Sequence, residues 1–161
     1  QLQNKKWALI FTCIILISIF SIFVVFNKKQ QNTILVENKR TQENTTIISY
    51  KGKQFLSHVS KTNHDRNLGL SIFNVLPENE SMLFIFDNLG IYSFWMKDMK
   101  FPIDIVWLDE NKRIVYMQEN AHPDDFPNTY SPTNESLYVL EFNAGFVKRE
   151  GLSLGGSLSW Q

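Results

Sequence analysis

The stretch that decides the fold is Ser93–Asp109, which reads SFWMKDMKFPIDIVWLD. It is dense in aliphatic and aromatic side chains, yet it includes charged residues such as Lys97, Asp98 and Asp104. Alternation of inward and outward side chains is typical of β-strands, and proline is typical of turns. We therefore predict two strands joined by a turn at Lys100–Pro102.

Short apolar runs at regular spacing surround this stretch and indicate further strands. The best hairpin joins 103–108 to 113–118 through a turn at 109–112. The other predicted strands cover 47–50, 55–59, 82–86, 92–97, 137–142 and 157–160, and short helices are predicted over 63–73 and 143–150. Asn63 and Asn143 are the predicted N-caps of these helices, and Gly151 is predicted to end the second one. The fold class is mainly β: a compact, partly closed barrel or two packed sheets with one or two short helices, preceded by one transmembrane helix.

The N-terminal part carries a long apolar run, Trp7–Phe26, without any charged residue. A helix of this length spans roughly 30 Å, which is the thickness of a bilayer core. The alternative is a cleaved signal peptide, but the run exceeds a typical signal core and no small-x-small cleavage site follows it. We predict an uncleaved signal anchor.

The anchor divides the chain into a tail (1–6), a transmembrane helix (7–26), a polar linker (27–45) and a β-rich domain (46–161). As flexible coil the linker reaches on the order of 25 Å, so the domain works close to a membrane. Lysine pairs flank both ends of the helix, so positive charge does not decide its orientation. Because the tail is short, we expect it in the cytoplasm and the domain on the extracytoplasmic side of the cell membrane.

Charge and cysteine content exclude several classes of function. The first 45 residues hold six of the basic residues and two of the acidic ones, which leaves ten basic and fourteen acidic residues in the domain. A mildly acidic domain is a poor partner for nucleic acid. The single cysteine, Cys13, lies in the apolar run, and the three histidines are scattered, so we predict no metal and no cofactor.

Several motifs together resemble the bacterial and archaeal family called domain of unknown function 192, over about residues 50–160. The resemblance rests on Arg66-Asn67-Leu68-Gly69-Leu70, Met82-Leu83-Phe84, Phe94-Trp95-Met96-Lys97-Asp98-Met99, Pro102-Ile103-Asp104, Pro123, and Leu140-Glu141 with Gly145. It implies a small β-rich fold, often behind a signal or anchor segment, and no established activity. Within these motifs Arg66, Gly69, Phe94, Met96, Pro102 and Gly145 form a structural signature.

The chain departs from the usual pattern of that family at four places. Ser71 and Ser81 stand where the family usually has Met and Gly, and Asp98-Met99 replace the usual Asn-Thr. Gly156-Ser157 lie near the end, where Gly-Asp is usual. Any function that depends on that Asn or that late Asp in relatives is therefore in doubt here.

Charged and aromatic residues of the family motifs are the candidates for ligand binding. In an alternating strand Asp104 shares a face with Val106 and Leu108, so it either ties down the turn or lies at a ligand cleft. Trp95 either packs in the core or offers a stacking surface for a sugar or another flat ligand. The ligand-binding candidates are Trp95, Lys97, Asp98, Asp104 and Glu141.

No recognisable catalytic set accompanies these residues. The domain has no cysteine, no Gly-x-Ser-x-Gly elbow and no glycine-rich phosphate loop. We therefore predict a binding or accessory module at the cell envelope for a small ligand, a glycan or an envelope protein, with no catalytic residue assigned. The alternative is a hydrolase that acts on envelope glycans through two of the three carboxyl groups of Asp98, Asp104 and Glu141.

Overall fold

The computed structural model describes residues 20–32 and 44–161. The chain divides into two compact units, Gln1–Glu43 and Asn44–Gln161. In the first unit residues 20–32 form helix α1, whose large apolar side chains between positions 20 and 26 are mostly exposed. Within the described ranges no helix is both long and apolar enough to cross a membrane. Most of the predicted membrane helix, residues 7–19, lies outside the described residues.

The second unit is built on a large, six-stranded sheet. Its strands are β1 (Thr45–Tyr50), β2 (Lys53–Ser60), β3 (Glu80–Gly90), β5 (Ile103–Leu108), β6 (Ile114–Ala121) and β8 (Ser136–Asn143). They lie in the order β1-β2-β3-β8-β5-β6, and neighbouring strands are antiparallel except β2 and β3, which are parallel.

A smaller sheet pairs β4 (Phe94–Trp95) with β7 (Thr129–Tyr130). The helices of this unit are α2 (Asn63–Leu68) and α3 (Phe146–Glu150), with 3₁₀ turns at Gly69–Ile72 and Pro123–Asp125. The fold is therefore mainly β, with two sheets and short helices. Of the two predicted architectures the two-sheet form is confirmed, and the described strands form no closed barrel.

The two faces of the large sheet carry different hydrophobic clusters. We call one the α3 face, because Val106 and Leu140 pack there with Phe146 of α3. On the other face Ile105 and Trp107 pack with Val139, and we call it the pocket face. The alternation predicted for residues 103–108 is therefore confirmed, and all six residues of β5 are buried.

The stretch Ser93–Asp109 contains the two predicted strands, but these strands do not pair with each other, because they lie in different sheets. β4 pairs with β7, whereas β5 pairs with β6 and β8. Phe94 meets Phe84 and Trp107 edge to face, at ring distances of 4.9 and 5.8 Å, so β4 packs over the pocket face. Packing against the sheet has thus replaced local pairing, and only two residues of the predicted strand 92–97 remain extended.

Helix α2 is shorter than predicted, and its N-cap differs. The cap is Thr62, whose Oγ1 accepts the Asp65 backbone N–H at 3.1 Å, and not Asn63. The helix ends at Leu68 because Gly69 turns to φ +50°, a conformation that glycine tolerates best. The following 3₁₀ turn buries Leu70 completely.

Helix α3 begins later than predicted. Asn143 does not cap it; its amide donates instead to the carbonyl oxygens of Leu76 and Pro77. The helix starts after Gly145, at φ +85°, and ends at Gly151 as predicted. The signature glycine is therefore required at the turn that joins β8 to α3.

The C-terminal segment forms bridges at both edges of the large sheet. Ser159 forms an isolated bridge with Ser49 of β1, and Ser157 forms another with Arg113, just before β6. These bridges satisfy backbone groups that an exposed sheet edge would leave unpaired. The predicted last strand is thus present only as two single bridges.

Candidate functional site

A pocket of about 540 Å³ opens on the pocket face of the large sheet. Its lining comes from α2, the 3₁₀ turn, both sheets and the segment around β4, so residues distant in sequence meet there. The lining residues are Asn63, Arg66, Asn67, Leu68, Gly69, Leu70, Phe86, Tyr92, Ser93, Phe94, Trp95, Lys97, Met99, Thr129 and Glu141. Its volume lies in the range typical of small-molecule sites.

Glu141 on β8 is the buried acid of this pocket, with 4% of its surface exposed. Its Oε2 has no hydrogen-bond partner among the described residues. Burial raises the pKa of Glu141 to about 8, although a hydrogen bond from the Leu70 backbone N–H opposes the rise. A buried polar atom without a partner is rare and costly, so Oε2 is a ready partner for a group that enters the pocket.

Gly69 keeps the space beside this carboxyl group open. A methyl group on its α-carbon would lie 3.7 Å from Glu141 Oε2 and 3.4 Å from Phe84 Cζ. The sequence chooses glycine here for two reasons: the backbone turns to positive φ, and the carboxyl group lies alongside.

Aromatic side chains form much of the wall. Phe86 and Tyr92 stack with their ring centres 3.5 Å apart. Trp95 is 47% exposed and meets Phe126 edge to face at 6.3 Å. Because its ring lines the pocket and still reaches solvent, Trp95 offers a flat surface to a ligand.

Two cations complete the lining. Arg66 donates to the backbone oxygens of Lys61 and Ile85, and its guanidinium lies 5.0 Å from the Phe86 ring centre. The Lys97 ammonium lies 5.8 Å from the Trp95 ring centre. Arg66 is therefore held by the fold, whereas Lys97 lies against an exposed ring.

Asp104 lies away from this pocket, on the α3 face. It pairs across the sheet with Phe142, whereas Glu141 pairs with Ile105 on the pocket face. Asp104 is fully buried; its Oδ1 accepts the Asn120 N–H and its Oδ2 the Val147 N–H, both at 2.9 Å. Its carboxyl group thus joins β5 to β6 and to the first turn of α3.

The remaining predicted residues are divided between pocket and framework. Asp98 is exposed in a turn at φ +59° and is absent from the lining. Of the structural signature, Arg66, Gly69 and Phe94 line the pocket. The others support the fold: Met96 is 1% exposed in the core, Pro102 accepts a backbone hydrogen bond from Ala144, and Gly145 caps α3.

Several lining residues could not be assigned from the sequence. Tyr92 begins a predicted strand, Asn67 lies in a predicted short helix, and Phe86 ends a predicted apolar strand. Thr129 lies outside every predicted strand and helix. None of these positions carries a charge or a motif of its own. Only the resemblance at Arg66 and Gly69 pointed towards the part of the chain that closes the pocket.

The loop before β7 is held by a carboxyl–phenol contact. Tyr130 donates to Asp125, whose carboxyl group also accepts the His122 backbone N–H at 2.7 Å. Burial and this hydrogen bond raise the pKa of Tyr130 to about 12, and the same hydrogen bond lowers the pKa of Asp125. The contact keeps β7 against β4 and so places Thr129 at the pocket.

Comparisons with known proteins agree with this architecture. No curated protein matches the chain. The crystal structure of a candidate transcription regulator from Sinorhizobium meliloti 1021 is 28% identical, covers 72% of this chain and 91% of its own, and has a TM-score of 0.66. A protein of unknown function from Novosphingobium aromaticivorans DSM 12444 is 24% identical, covers 72% and 84%, and has a TM-score of 0.65. The second likeness concerns the fold alone.

The family assignment rests on the greater part of the chain. The family described as "Uncharacterized ACR", domain of unknown function 192, matches residues 45–160. That range contains both sheets, the pocket and every motif on which the resemblance was based. The chain therefore belongs to the family called domain of unknown function 192.

Proposed function

We propose that this protein is a binding module that holds a small ligand in the pocket around Glu141. The observation that carries the proposal is the Glu141 Oε2 atom, which is buried, unpartnered among the described residues and part of the pocket lining. A ligand group that bonds this oxygen offsets a cost that the free protein bears. The volume of about 540 Å³ favours a small ligand over an envelope protein as the occupant.

Binding fits this pocket better than hydrolysis does. A glycoside hydrolase uses two carboxyl groups on either side of the bond that it cleaves. Among the described residues that line the pocket, Glu141 is the only acid. Asp104 lies on the opposite face of the sheet, and both of its oxygens accept backbone hydrogen bonds.

The module is tethered to the cell membrane by Trp7–Phe26, with the β domain on the extracytoplasmic side. The length and the lack of charge of that run support this part of the proposal. The exposed apolar side chains at the start of α1 support it as well, because such side chains need a cover. The acidic excess of this chain's β domain opposes nucleic-acid binding.

A thermal-shift screen of the full chain tests the binding proposal. The panel contains monosaccharides, amino acids, small organic acids and small amines. We expect at least one class to raise the melting temperature of the wild type and to lose this effect in Glu141→Leu, which removes both side-chain oxygen atoms. The matched control is Glu135→Leu, which changes an exposed acid outside the pocket and should respond like the wild type. If no compound stabilises the wild type, the proposal fails.

Fractionation of bacterial cells that express the full chain tests the tether. We expect the protein in the membrane fraction after an alkaline wash, and we expect protease added to spheroplasts to remove the β domain. Recovery of the intact chain in the soluble fraction would contradict the tether without affecting the pocket.

A further inference from the structure

The chemistry of the pocket narrows the ligand class. We infer that the pocket takes a neutral, hydroxyl-rich ring, such as one sugar unit of a glycan, with a hydroxyl group on Glu141 Oε2 and an apolar ring face on Trp95. This inference rests on the proposed binding function and names the ligand class for the same site.

A hydroxyl group suits the space and the hydrogen-bonding capacity at the buried Glu141 carboxyl group. Oε2 lies beside Gly69, whose missing side chain leaves room for a small group. A hydroxyl both donates and accepts, so it bonds a carboxyl group in either protonation state. This flexibility matters because burial raises the pKa of Glu141 to about 8, so both protonation states occur near neutral pH.

The charges in the lining disfavour a cationic ligand. Arg66 and Lys97 both line the pocket, and Glu141 is the only acid among the described residues there. An ammonium group bound at Glu141 would enter a pocket whose lining already carries two positive charges against one acid, and like charges repel each other. A neutral ligand meets no such repulsion.

An anionic ligand is disfavoured for a different reason. The Arg66 guanidinium already donates to the carbonyl oxygens of Lys61 and Ile85 and to the Asn63 side chain, so the fold has used much of its capacity. An anion that reached Oε2 would also meet a carboxyl group, and it would lose its hydration. The deep part of the pocket therefore suits an uncharged polar group.

Neutral polar groups and an exposed ring complete the match to a sugar. Amide and hydroxyl side chains of Asn63, Asn67, Ser93 and Thr129 line the pocket. Asn63 and Ser93 already bond Arg66 and Ser131, so Asn67 and Thr129 are the readier donors or acceptors for ligand hydroxyls. Trp95 is 47% exposed, and its electron-rich face attracts the C–H groups of a sugar ring. The same pocket thus offers one apolar platform and several hydroxyl partners.

Calorimetric titration, supported by saturation-transfer NMR for weak binders, tests the inference on the full chain at about pH 6, where amines are charged. The neutral probes are glucose, galactose, mannose and N-acetylglucosamine. Charged counterparts of the glucose and galactose series are glucosamine, galactosamine, glucuronate and galacturonate, which keep the ring and replace one substituent by a charged group. We expect at least one neutral sugar to bind about tenfold or more tightly than its charged counterparts.

Variants locate the bound sugar. Trp95→Ala and Glu141→Leu should each weaken its binding by about tenfold or more, because one removes the platform and the other removes both side-chain oxygen atoms that bond the hydroxyl. Leu154→Ala and Glu135→Leu are the controls, since both change exposed side chains outside the lining, and they should bind like the wild type. If the control variants lose as much sugar affinity as the two pocket variants, the inference is wrong.

Different results would contradict the binding function and the inferred ligand class. If amines, amino acids or organic acids bind at Glu141 and no neutral sugar does, the ligand class is wrong and the binding module stands. If no compound of either panel binds the wild type, both proposals fail.

Discussion

Two buried acids on neighbouring strands, Asp104 and Glu141, occupy opposite faces of the same sheet and differ in how the fold treats them. Both oxygens of Asp104 accept backbone N–H groups, and the pocket lining does not include this residue. Glu141 leaves one oxygen without a partner among the described residues, in a pocket. In this sheet incomplete hydrogen bonding, and not burial alone, distinguishes the acid that lines the pocket.

The two buried carboxyl groups differ in how far hydrogen bonds compensate for their loss of hydration. Desolvation of a carboxyl group is expensive unless hydrogen bonds replace the lost water. On the α3 face that replacement is made by the backbone at Asn120 and Val147. On the pocket face it is made in part by Leu70, and the rest is left for a ligand.

The largest expected effect is the loss of stability on Asp104→Ala. The change leaves two buried backbone N–H groups without acceptors and opens a cavity, so we expect the free energy of unfolding to fall by roughly 3–5 kcal/mol. Urea unfolding of the full chain measures it. Asp87→Ala is the control, because Asp87 is exposed, and it should change stability by less than about 0.5 kcal/mol. Similar values for both variants would remove the contrast between the two acids.

The second largest expected effect is a dependence of stability on pH that is caused by Glu141. Its pKa is about 8 in the folded state against an ordinary value of 4.5, so the folded protein holds this proton more tightly than the unfolded chain does. The stability that it contributes is complete below about pH 4.5 and is lost as the pH rises towards and through about 8.

Glu141→Gln should remove that dependence. Between about pH 5 and pH 9 we expect the free energy of unfolding of the wild type to fall by roughly 2–4 kcal/mol relative to that of the variant. Unfolding curves of both proteins at several pH values measure the difference, and Glu135→Gln should follow the wild type. A difference between wild type and Glu141→Gln that stays constant with pH would show that Glu141 titrates normally.

A smaller effect is expected for Gly69→Ala. The backbone at φ +50° and ψ −145° is strained for any residue with a β-carbon, so stability should fall by about 1–3 kcal/mol. Gly52→Ala is a matched control, since Gly52 also has positive φ and nothing lies within 4 Å of its added methyl group.

Ligand binding separates these two glycine variants. Only Gly69→Ala adds a methyl group beside Glu141 Oε2, so only this variant should weaken binding of the compound found in the thermal-shift screen. Equal affinities for the two variants in calorimetric titration would place the ligand away from Glu141.

The smallest expected effect is the change in stability on Trp95→Ala. Because the ring is about half exposed and β4 is anchored by Phe94, we expect a loss below about 1 kcal/mol. Trp107→Ala, in contrast, removes a fully buried ring and should cost roughly 3–5 kcal/mol. Thermal unfolding of both variants measures the pair. A large loss in Trp95→Ala would mean that this ring supports the fold and is not a free binding surface.

Much of the large sheet could be predicted because its strands follow local rules. The alternation along 103–108 gave the two faces of β5, and the turn at 109–112 gave its pairing with β6. The separation of β4 from β5 could not be predicted, because it depends on Phe94 packing against Phe84 and Trp107 from other strands. The ends of α2 and α3 were misplaced because Gly69 and Gly145 set them through positive φ.

In the candidate site, too, residue type could be predicted from the sequence, but features that depend on packing could not. Trp95, Lys97 and Glu141 were singled out by residue type and line one pocket, whereas Asp98 and Asp104 were chosen on the same grounds and do not. Sequence alone could not separate them, since the face of an acid and the completeness of its hydrogen bonds depend on pairing across the sheet. Asp104 and Glu141 differ in these two properties, although both lie among apolar residues in sequence.

The most direct test of the central claim is a crystal structure of the full chain with the best compound from the screen. The account predicts a ligand hydroxyl or other polar group within hydrogen-bond distance of Glu141 Oε2 and a ligand face against the Trp95 ring. A ligand bound elsewhere, with Glu141 untouched, would contradict it.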